Sequence, residues 1–148
     1  MLVKPDGLQR GLIGEIISRF ERKGLKLLGL KMVTLNDEVL ENWYEHHKDK
    51  PFFADIKKFM KWTPIVSMVW EGKNVIEVVR RMVGVTKGYE AEAGSIRGDF
   101  GLSGSQNIIH ASDSNEAYEK ESKLVFGEGE IFEYRSVVEE LIYGEGER

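Results

Sequence analysis

One segment limits the possible folds of this chain more than any other: the run Pro64-Ile65-Val66-Ser67-Met68-Val69-Trp70, apolar at every position but Ser67. A strand of this kind offers no polar face to water, so it has to be covered on both sides. It is also too short to span a bilayer. The 148 residues around it are enough for one hydrophobic core with covering layers, and residues 1–148 are expected to form a single domain.

The rest of the chain supplies partners for that strand. Leu2-Val3 reads as a strand stump, halted by the turn residues Pro5-Asp6-Gly7. Leu12, Ile13, Ile16, Ile17 and Phe20 then recur at helical spacing with Glu15, Arg19 and Arg22 opposite, and Gly24 follows as a stop. Leu25 to Val33 predicts a strand whose alternation breaks at Leu27-Leu28. Thr34 to Asp37 offers caps for a helix running to about His47. Phe52 to Lys61 predicts a second short helix, with Lys57-Lys58 on a solvated face. Asn74 is placed to cap a helix bearing Val75, Val78, Val79, Met82 and Val83. The stretch from Gly84 to Gln106 shows no strong period. Asn107 to His110 predicts a short strand, and Ser112-Asp113-Ser114 introduces a helix from about Asn115 to Phe126. Ile131, Phe132, Tyr134, Val137, Val138, Leu141 and Ile142 make a last apolar cluster before the chain frays into Gly144 to Arg148. The order β-α-β-(αα)-β-α-loop-β-α predicts an α/β (α+β) chain on the ferredoxin-like split βαβ plan. Its four-stranded sheet is mainly antiparallel, with helices on its faces and an inserted helical hairpin.

Composition removes several classes of function. Twenty-one basic residues against 25 acidic ones leave a formal charge of −4, which argues against nucleic acid as a partner. The absence of cysteine excludes disulfides, thiolate zinc sites and a cysteine nucleophile. Lys4-Pro5-Asp6-Gly7 interrupts any leader almost at once, so no membrane association is expected and the cytoplasm is the expected compartment.

No window carries a Walker A loop, and Gly127-Glu128-Gly129 lacks both the completing glycine and suitable neighbours for a dinucleotide fingerprint. Any phosphates would have to be held by side chains, with Lys4, Arg10, Arg80, Arg81, Arg97 and the Thr86 hydroxyl as candidates. Each of these taken singly reads as an ordinary surface group. Arg97 stands out, because it sits among glycines in a stretch without regular period. Of the three histidines, His46 and His47 fall on an exposed-looking helix and read as solvated. His110 ends an apolar strand just before a capping sequence, where backbone N–H groups favour anions. An imidazole there can attack phosphorus and leave again at neutral pH. Glu121, three helical turns on, or Ser112 could orient the ring. Spacing alone leaves open a packed structural histidine, the commoner case.

These same residues carry a resemblance. Asn107-Ile108-Ile109-His110-Ala111-Ser112-Asp113-Ser114 resembles the active-site signature of nucleoside diphosphate kinases. Val3-Lys4-Pro5-Asp6-Gly7, Arg10-Gly11-Leu12-Ile13-Gly14-Glu15-Ile16, Lys50-Pro51-Phe52-Phe53 and Ile96-Arg97-Gly98-Asp99-Phe100 look like the same family, in its order and spacing. The resemblance implies transfer of a γ-phosphoryl group from a nucleoside triphosphate to a nucleoside diphosphate, by a ping-pong route through phosphohistidine. By similarity His110 is the nucleophile, Glu121 and Ser112 orient it, and Tyr44 lies near it. Lys4, Phe52, Arg80, Thr86, Arg97 and Asn107 match the nucleotide-contact positions. Arg80, Thr86 and Arg97 would face phosphates, Lys4 and Asn107 the ribose 3′-hydroxyl, and Phe52 the base. Mg²⁺ is implied as carried by the nucleotide phosphates, without a protein metal site, and a homo-oligomer, a hexamer first, is the implied assembly. The chain departs from the family pattern at Lys87-Gly88-Tyr89 after Thr86, at Ala111 after the histidine, and at Trp62-Thr63. A non-catalytic nucleotide- or nucleic-acid-binding module is the alternative, and protein-histidine phosphotransfer stays open as a side activity.

Overall fold

A computed structural model describes residues Met1 to Glu147; Arg148, the end of the expected fray, lies outside the described residues. The elements run β1 (Leu2–Val3), α1 (Pro5–Gln9), α2 (Ile13–Lys23), β2 (Lys26–Val33), α3 (Asp37–Trp43), α4 (Phe53–Met60), β3 (Ile65–Glu71), α5 (Val75–Val83), α6 (Ile96–Phe100), β4 (Ile109–His110), α7 (Asn115–Val125) and α8 (Glu139–Ile142). The four strands form one sheet in the order β2-β3-β1-β4, with every neighbouring pair antiparallel. This is the split βαβ arrangement.

The apolar run is β3, and it lies in the interior of the sheet with Ile65 to Trp70 all buried. Its alternate side chains feed two separate apolar layers. Val66, Met68 and Trp70 pack with Ile16, Phe20, Val79 and Val83 of α2 and α5. Ile65 and Val69 pack with Leu40, Trp43, Met60 and Val125 of α3, α4 and α7. Val3 and Leu2 divide between the two layers in the same way. The site is therefore built on a sheet clamped from both faces.

Local chemistry explains the boundaries. Gly24 ends α2 at φ 93°, and the Gly24 and Leu25 amides bond back to Glu21 and Phe20. The break at Leu27-Leu28 is a register shift in the β2–β3 ladder, with Leu27 opposite Trp70 and Gly29 opposite Val69. Asn36 caps α3 by accepting the Val39 amide at 2.8 Å.

Several expectations need correction. The helix predicted to reach His47 stops at Trp43 and passes into a separate 3₁₀ turn at Glu45–His47. Asn74 precedes α5 in a left-handed conformation (φ 50°), and its side chain makes no capping bond. Pro5-Asp6-Gly7 does not merely turn the chain but opens the short helix α1. Strand β4 is limited to residues 109–110, because Ile108 takes φ 72° and cannot continue a ladder. The aperiodic stretch holds a 3₁₀ turn at Gly88–Glu90 and α6, which is too short to display a period. The apolar tail does not add to the core: Ile131 packs against it, but Phe132, Val137 and Leu141 are 62%, 88% and 85% exposed. The tail instead lies along β2 by main-chain and polar contacts, with the Phe132 amide donating to Leu28 and the Tyr134 hydroxyl to Leu27.

Candidate active site

A cleft of about 970 Å³ opens beside the ends of β1 and β4, lined by Lys4, Tyr44, Phe52, Arg80, Thr86, Arg97, Asn107, His110 and Glu121 among others. Nine positions spread from residue 4 to residue 121 thus converge on one concavity.

The histidine is held by its neighbours on α7. Both Glu121 carboxylate oxygens lie 3.0 Å from His110 Nε2. A carboxylate can only accept, so Nε2 carries the proton and the Nδ1 lone pair is left for chemistry. Nδ1 has no hydrogen-bond partner among the described residues. Ser112 Oγ donates to Glu121 Oε2 at 2.7 Å, bracing the carboxylate. Burial alone would push the Glu121 carboxyl up; the bonds from His110 and Ser112 outweigh it and hold the group below the ordinary carboxylate value. The capping sequence before α7 divides its labour. Ser114 is the cap, accepting the Ala117 amide at 3.0 Å, and Ser112 is thereby free to serve Glu121.

Sequence reasoning did not single out Trp43. Its buried indole stands edge-on to the His110 ring with centroids 5.6 Å apart, and its N–H lies 3.4 Å from Nε2. With Nε2 already protonated toward Glu121, this is a packing contact that walls the imidazole on one side. Trp43 lay hidden because an aromatic on the buried face of a helix looks like any other core residue. Tyr44 is next in the chain and does line the cleft; burial, then the Glu121 charge, pushes its hydroxyl up to about 12, so it stays a neutral donor.

Across the cleft the cations are anchored in different ways. Arg97 donates from Nη1 to the Gly84 carbonyl (2.9 Å), from Nε to that of Asn107 (3.2 Å) and from Nη2 to that of Ile109 (2.6 Å). Burial, with Arg80 nearby, lowers Arg97 to about 10, still charged at neutral pH. Lys4 Nζ donates to Asn107 Oδ1 at 2.7 Å and to the Ser105 carbonyl at 3.1 Å. Asn107 is buried and uses its amide N–H groups on the Thr86 and Gly104 carbonyls, at 2.7 and 2.9 Å. Arg80 and Thr86 are exposed on the cleft wall.

Phe52 stands at the rim, 45% exposed, with the His47 ring 5.6 Å and the Lys50 amine 5.7 Å from its centroid. It is not a core residue. His46 and His47, read as merely solvated, both line the cleft, and His47 Nδ1 is buried without a hydrogen-bond partner among the described residues. Two candidate cations are elsewhere: Arg10 donates to the Phe100 carbonyl at 2.5 Å, and Arg81 pairs with Glu77 on the exposed face of α5. Neither lines the cleft. Among the described residues no group of three or more His, Asp or Glu side chains could hold a metal, and no helix is long and apolar enough to cross a membrane.

The family model for nucleoside diphosphate kinases matches residues 1–131. A nucleoside diphosphate kinase of Archaeoglobus fulgidus is 49% identical over 145 residues, spanning 98% of this chain and 96% of that one. One from Staphylothermus marinus is 54% identical over 134 residues, spanning 90% and 95%. Among solved structures, a halophilic nucleoside diphosphate kinase from Halobacterium salinarum in complex with CDP superimposes with a TM-score of 0.93 at 40% identity, covering 97% of this chain and 95% of that one. A nucleoside diphosphate kinase family protein from Babesia bovis gives 0.92 at 46% identity, with 96% of each chain covered.

The electrostatics of Lys4 can be tested directly. Burial, then the Arg97 charge, lowers its amine to about 8 against an ordinary 10.5. The folded value lies below the unfolded one, so folding is penalised while the amine stays charged, and the penalty is relieved as pH rises from about 8 towards 10.5. In a ¹³C-NMR titration of the lysine ε-methylenes, one resonance should move near pH 8. It should be missing in Lys4→Arg. Titration of Lys4 together with the surface lysines contradicts this reading of the cleft.

Proposed function

The chain belongs to the nucleoside diphosphate kinase family, and from that premise we propose how its own residues perform the reaction. It is an enzyme that moves the γ-phosphoryl of a nucleoside triphosphate to a nucleoside diphosphate by a ping-pong route through phosphohistidine. The observation that carries the residue assignment is the pairing of His110 Nε2 with Glu121 inside the cleft.

His110 Nδ1 is the nucleophile. Its lone pair forms the N–P bond as the bond from the γ-phosphorus to the bridging oxygen breaks, and the nucleoside diphosphate leaves with that oxygen. A second nucleoside diphosphate attacks the same phosphorus through its terminal oxygen and restores the free imidazole. The Nε2 proton stays on the ring throughout. Glu121 stabilises the positive charge that the ring acquires, and Ser112 keeps the carboxylate in place. Phosphoryl transfer passes through a loose transition state, so positioning and charge stabilisation do most of the work. Arg97 is a fixed cation because three carbonyls hold it, while Lys4 and Arg80 supply the remaining positive charge and Thr86 a hydroxyl. The Tyr44 hydroxyl is a neutral donor beside the histidine.

The family requires a divalent metal in general. Mg²⁺ is the ion we assign, held by the nucleotide's phosphates and keeping most of its waters. When bound it would neutralise phosphate charge.

For the nucleoside, Phe52 offers a rim platform on which any base can stack. Asn107 Oδ1 has one lone pair beyond the bond from Lys4. A ribose 3′-hydroxyl can therefore donate to Asn107 and accept from Lys4.

The apolar side chains left outside support a homo-oligomer: Leu30 and Met32 are 52% and 59% exposed on the edge strand β2, beside the exposed tail. A hexamer is the count that the resemblance implies. Residues 1–148 are taken as one domain, supported by the single sheet that holds both apolar layers, and the cytoplasm is the proposed compartment.

Incubation with γ-labelled ATP should transfer one acid-labile, base-stable phosphoryl per chain, linked through Nδ1 of His110. His110→Ala should bind nucleotide and take no label. Label that survives in this variant moves the nucleophile to His46 or His47.

Base tolerance and sugar dependence should diverge. ATP, GTP, CTP and UTP should react with kcat/KM values within roughly two decades of each other, whereas loss of a hydroxyl that a site is built to bind can cost up to ~10⁴-fold. Pre-steady-state phosphorylation by ATP and 3′-deoxy-ATP measures the second effect, and equal rates remove Lys4 and Asn107 from the sugar site. For the assembly, light scattering at micromolar concentration should show a closed oligomer. A strict monomer counts against it.

A further inference from the structure

One buried acid in the fold acts on the Lys4 charge yet keeps an oxygen without a hydrogen-bond partner among the described residues. Asp6, on α1, is 9% exposed. Its Oδ2 accepts the Ile108 amide at 3.0 Å, while its Oδ1 is buried with no partner among the described residues. An orphaned buried carboxylate oxygen costs free energy. An apolar residue would suit the position better if filling space were its only task.

What Asp6 holds accounts for its presence. Ile108 is β-branched and fully buried, yet sits at φ 72°, a conformation that branched side chains rarely adopt. The Ile109 amide bonds back to the Asn107 carbonyl at 2.8 Å, closing a γ-turn around it. Both of Ile108's own main-chain groups are taken by the start of the chain: its N–H by Asp6, and its carbonyl by the Lys4 amide at 2.8 Å. Gly7 allows this approach, because a Cβ there would lie 2.9 Å from the Ile108 carbonyl oxygen and 2.7 Å from the Val3 side chain.

The turn decides where the neighbouring functional groups go. On one side is Asn107, whose Oδ1 meets Lys4; on the other is β4, paired with β1 so that Leu2 stands opposite His110. If Ile108 relaxed to an extended conformation, Asn107 would join the strand and rotate away from Lys4. A bond from an amide to a carboxylate is stronger than one to a neutral oxygen, which makes an acid the suitable restraint.

We propose that Asp6 is a positioning residue for phosphoryl transfer: by holding Ile108 in its γ-turn, it sets Asn107 against Lys4 and His110 against Glu121. The inference rests on His110 as the phosphoryl acceptor. It is tested by rapid-quench phosphorylation with saturating γ-labelled ATP in the unaltered protein, Asp6→Asn and Asp6→Ala. The amplitude counts the chains able to react, and the rate constant reports how well the reacting groups are placed. In Asp6→Ala the amplitude should stay full while the rate constant falls on the order of 10²-fold, the loss that small misplacements produce. Asp6→Asn, which keeps an uncharged acceptor oxygen, should fall by less. The ratio of ATP to 3′-deoxy-ATP rates should also shrink, since Asn107 and Lys4 lose their mutual register. A loss confined to the amplitude, or an unchanged rate constant in both variants, overturns the proposal. An unaltered protein that takes no label removes the histidine assignment and this inference with it. A labelled unaltered protein with unchanged variants removes the inference alone.

Discussion

The site depends above all on the guanidinium of Arg97. By donating to Gly84, Asn107 and Ile109 it ties the end of α5, the long connection after it and the strand carrying His110 into one unit. Hydrogen bonds from a charged donor contribute about 1.5–3 kcal/mol each when buried carbonyls would otherwise go unpaired. The connection from α5 to β4 has only a 3₁₀ turn and the short α6 as regular structure. Here it is pinned at its start and at its end by the same side chain. Asn107 adds a second tie through its bonds to the Thr86 and Gly104 carbonyls. The cleft wall is thereby held by the chain's own hydrogen bonds, which is what catalysis by positioning requires.

The chemistry at His110 follows from unequal hydrogen-bonding partners for its two ring nitrogens. Nε2 faces a carboxylate held down by a serine hydroxyl, whereas Nδ1 has no hydrogen-bond partner among the described residues. One nitrogen is fixed as donor and the other keeps the lone pair that the proposed nucleophile needs. The buried Trp43 limits ring motion on one side. Opposite, Lys4, Arg80 and Arg97 gather positive charge on the cleft wall, and burial of Lys4 and Arg97 keeps water from screening it fully.

Much of this was legible in the residues. The polarity pattern located every strand and most helices, since apolar periodicity reports which face is buried whatever packs against it. Matching motifs then brought Lys4, Tyr44, Phe52, Arg80, Thr86, Arg97, Asn107, His110 and Glu121 onto a single list, and the cleft unites them. The short range of side-chain signals explains the errors. The helix α6 is too brief to show a period, and the stop after Trp43 has no glycine or proline to mark it. Arg10 and Arg81 carry the same charge as Arg80 and Arg97, and only their positions on the folded chain separate them.

By itself, then, the sequence determined the order of strands and main helices along the chain, the double-sided core demanded by Pro64 to Trp70, and which motif-bearing side chains to look for in one cleft. Tertiary structure alone decided which nitrogen of His110 is free, that Arg97 is a main-chain clamp as well as a cation, that Asp6 restrains a turn 102 residues away, and that the apolar tail stays outside the core. The physical reason is the same in each case. Periodicity and motifs encode what a residue can do and which face it prefers, but a hydrogen bond between distant segments exists only once the sheet has brought its two partners within about 3 Å of each other.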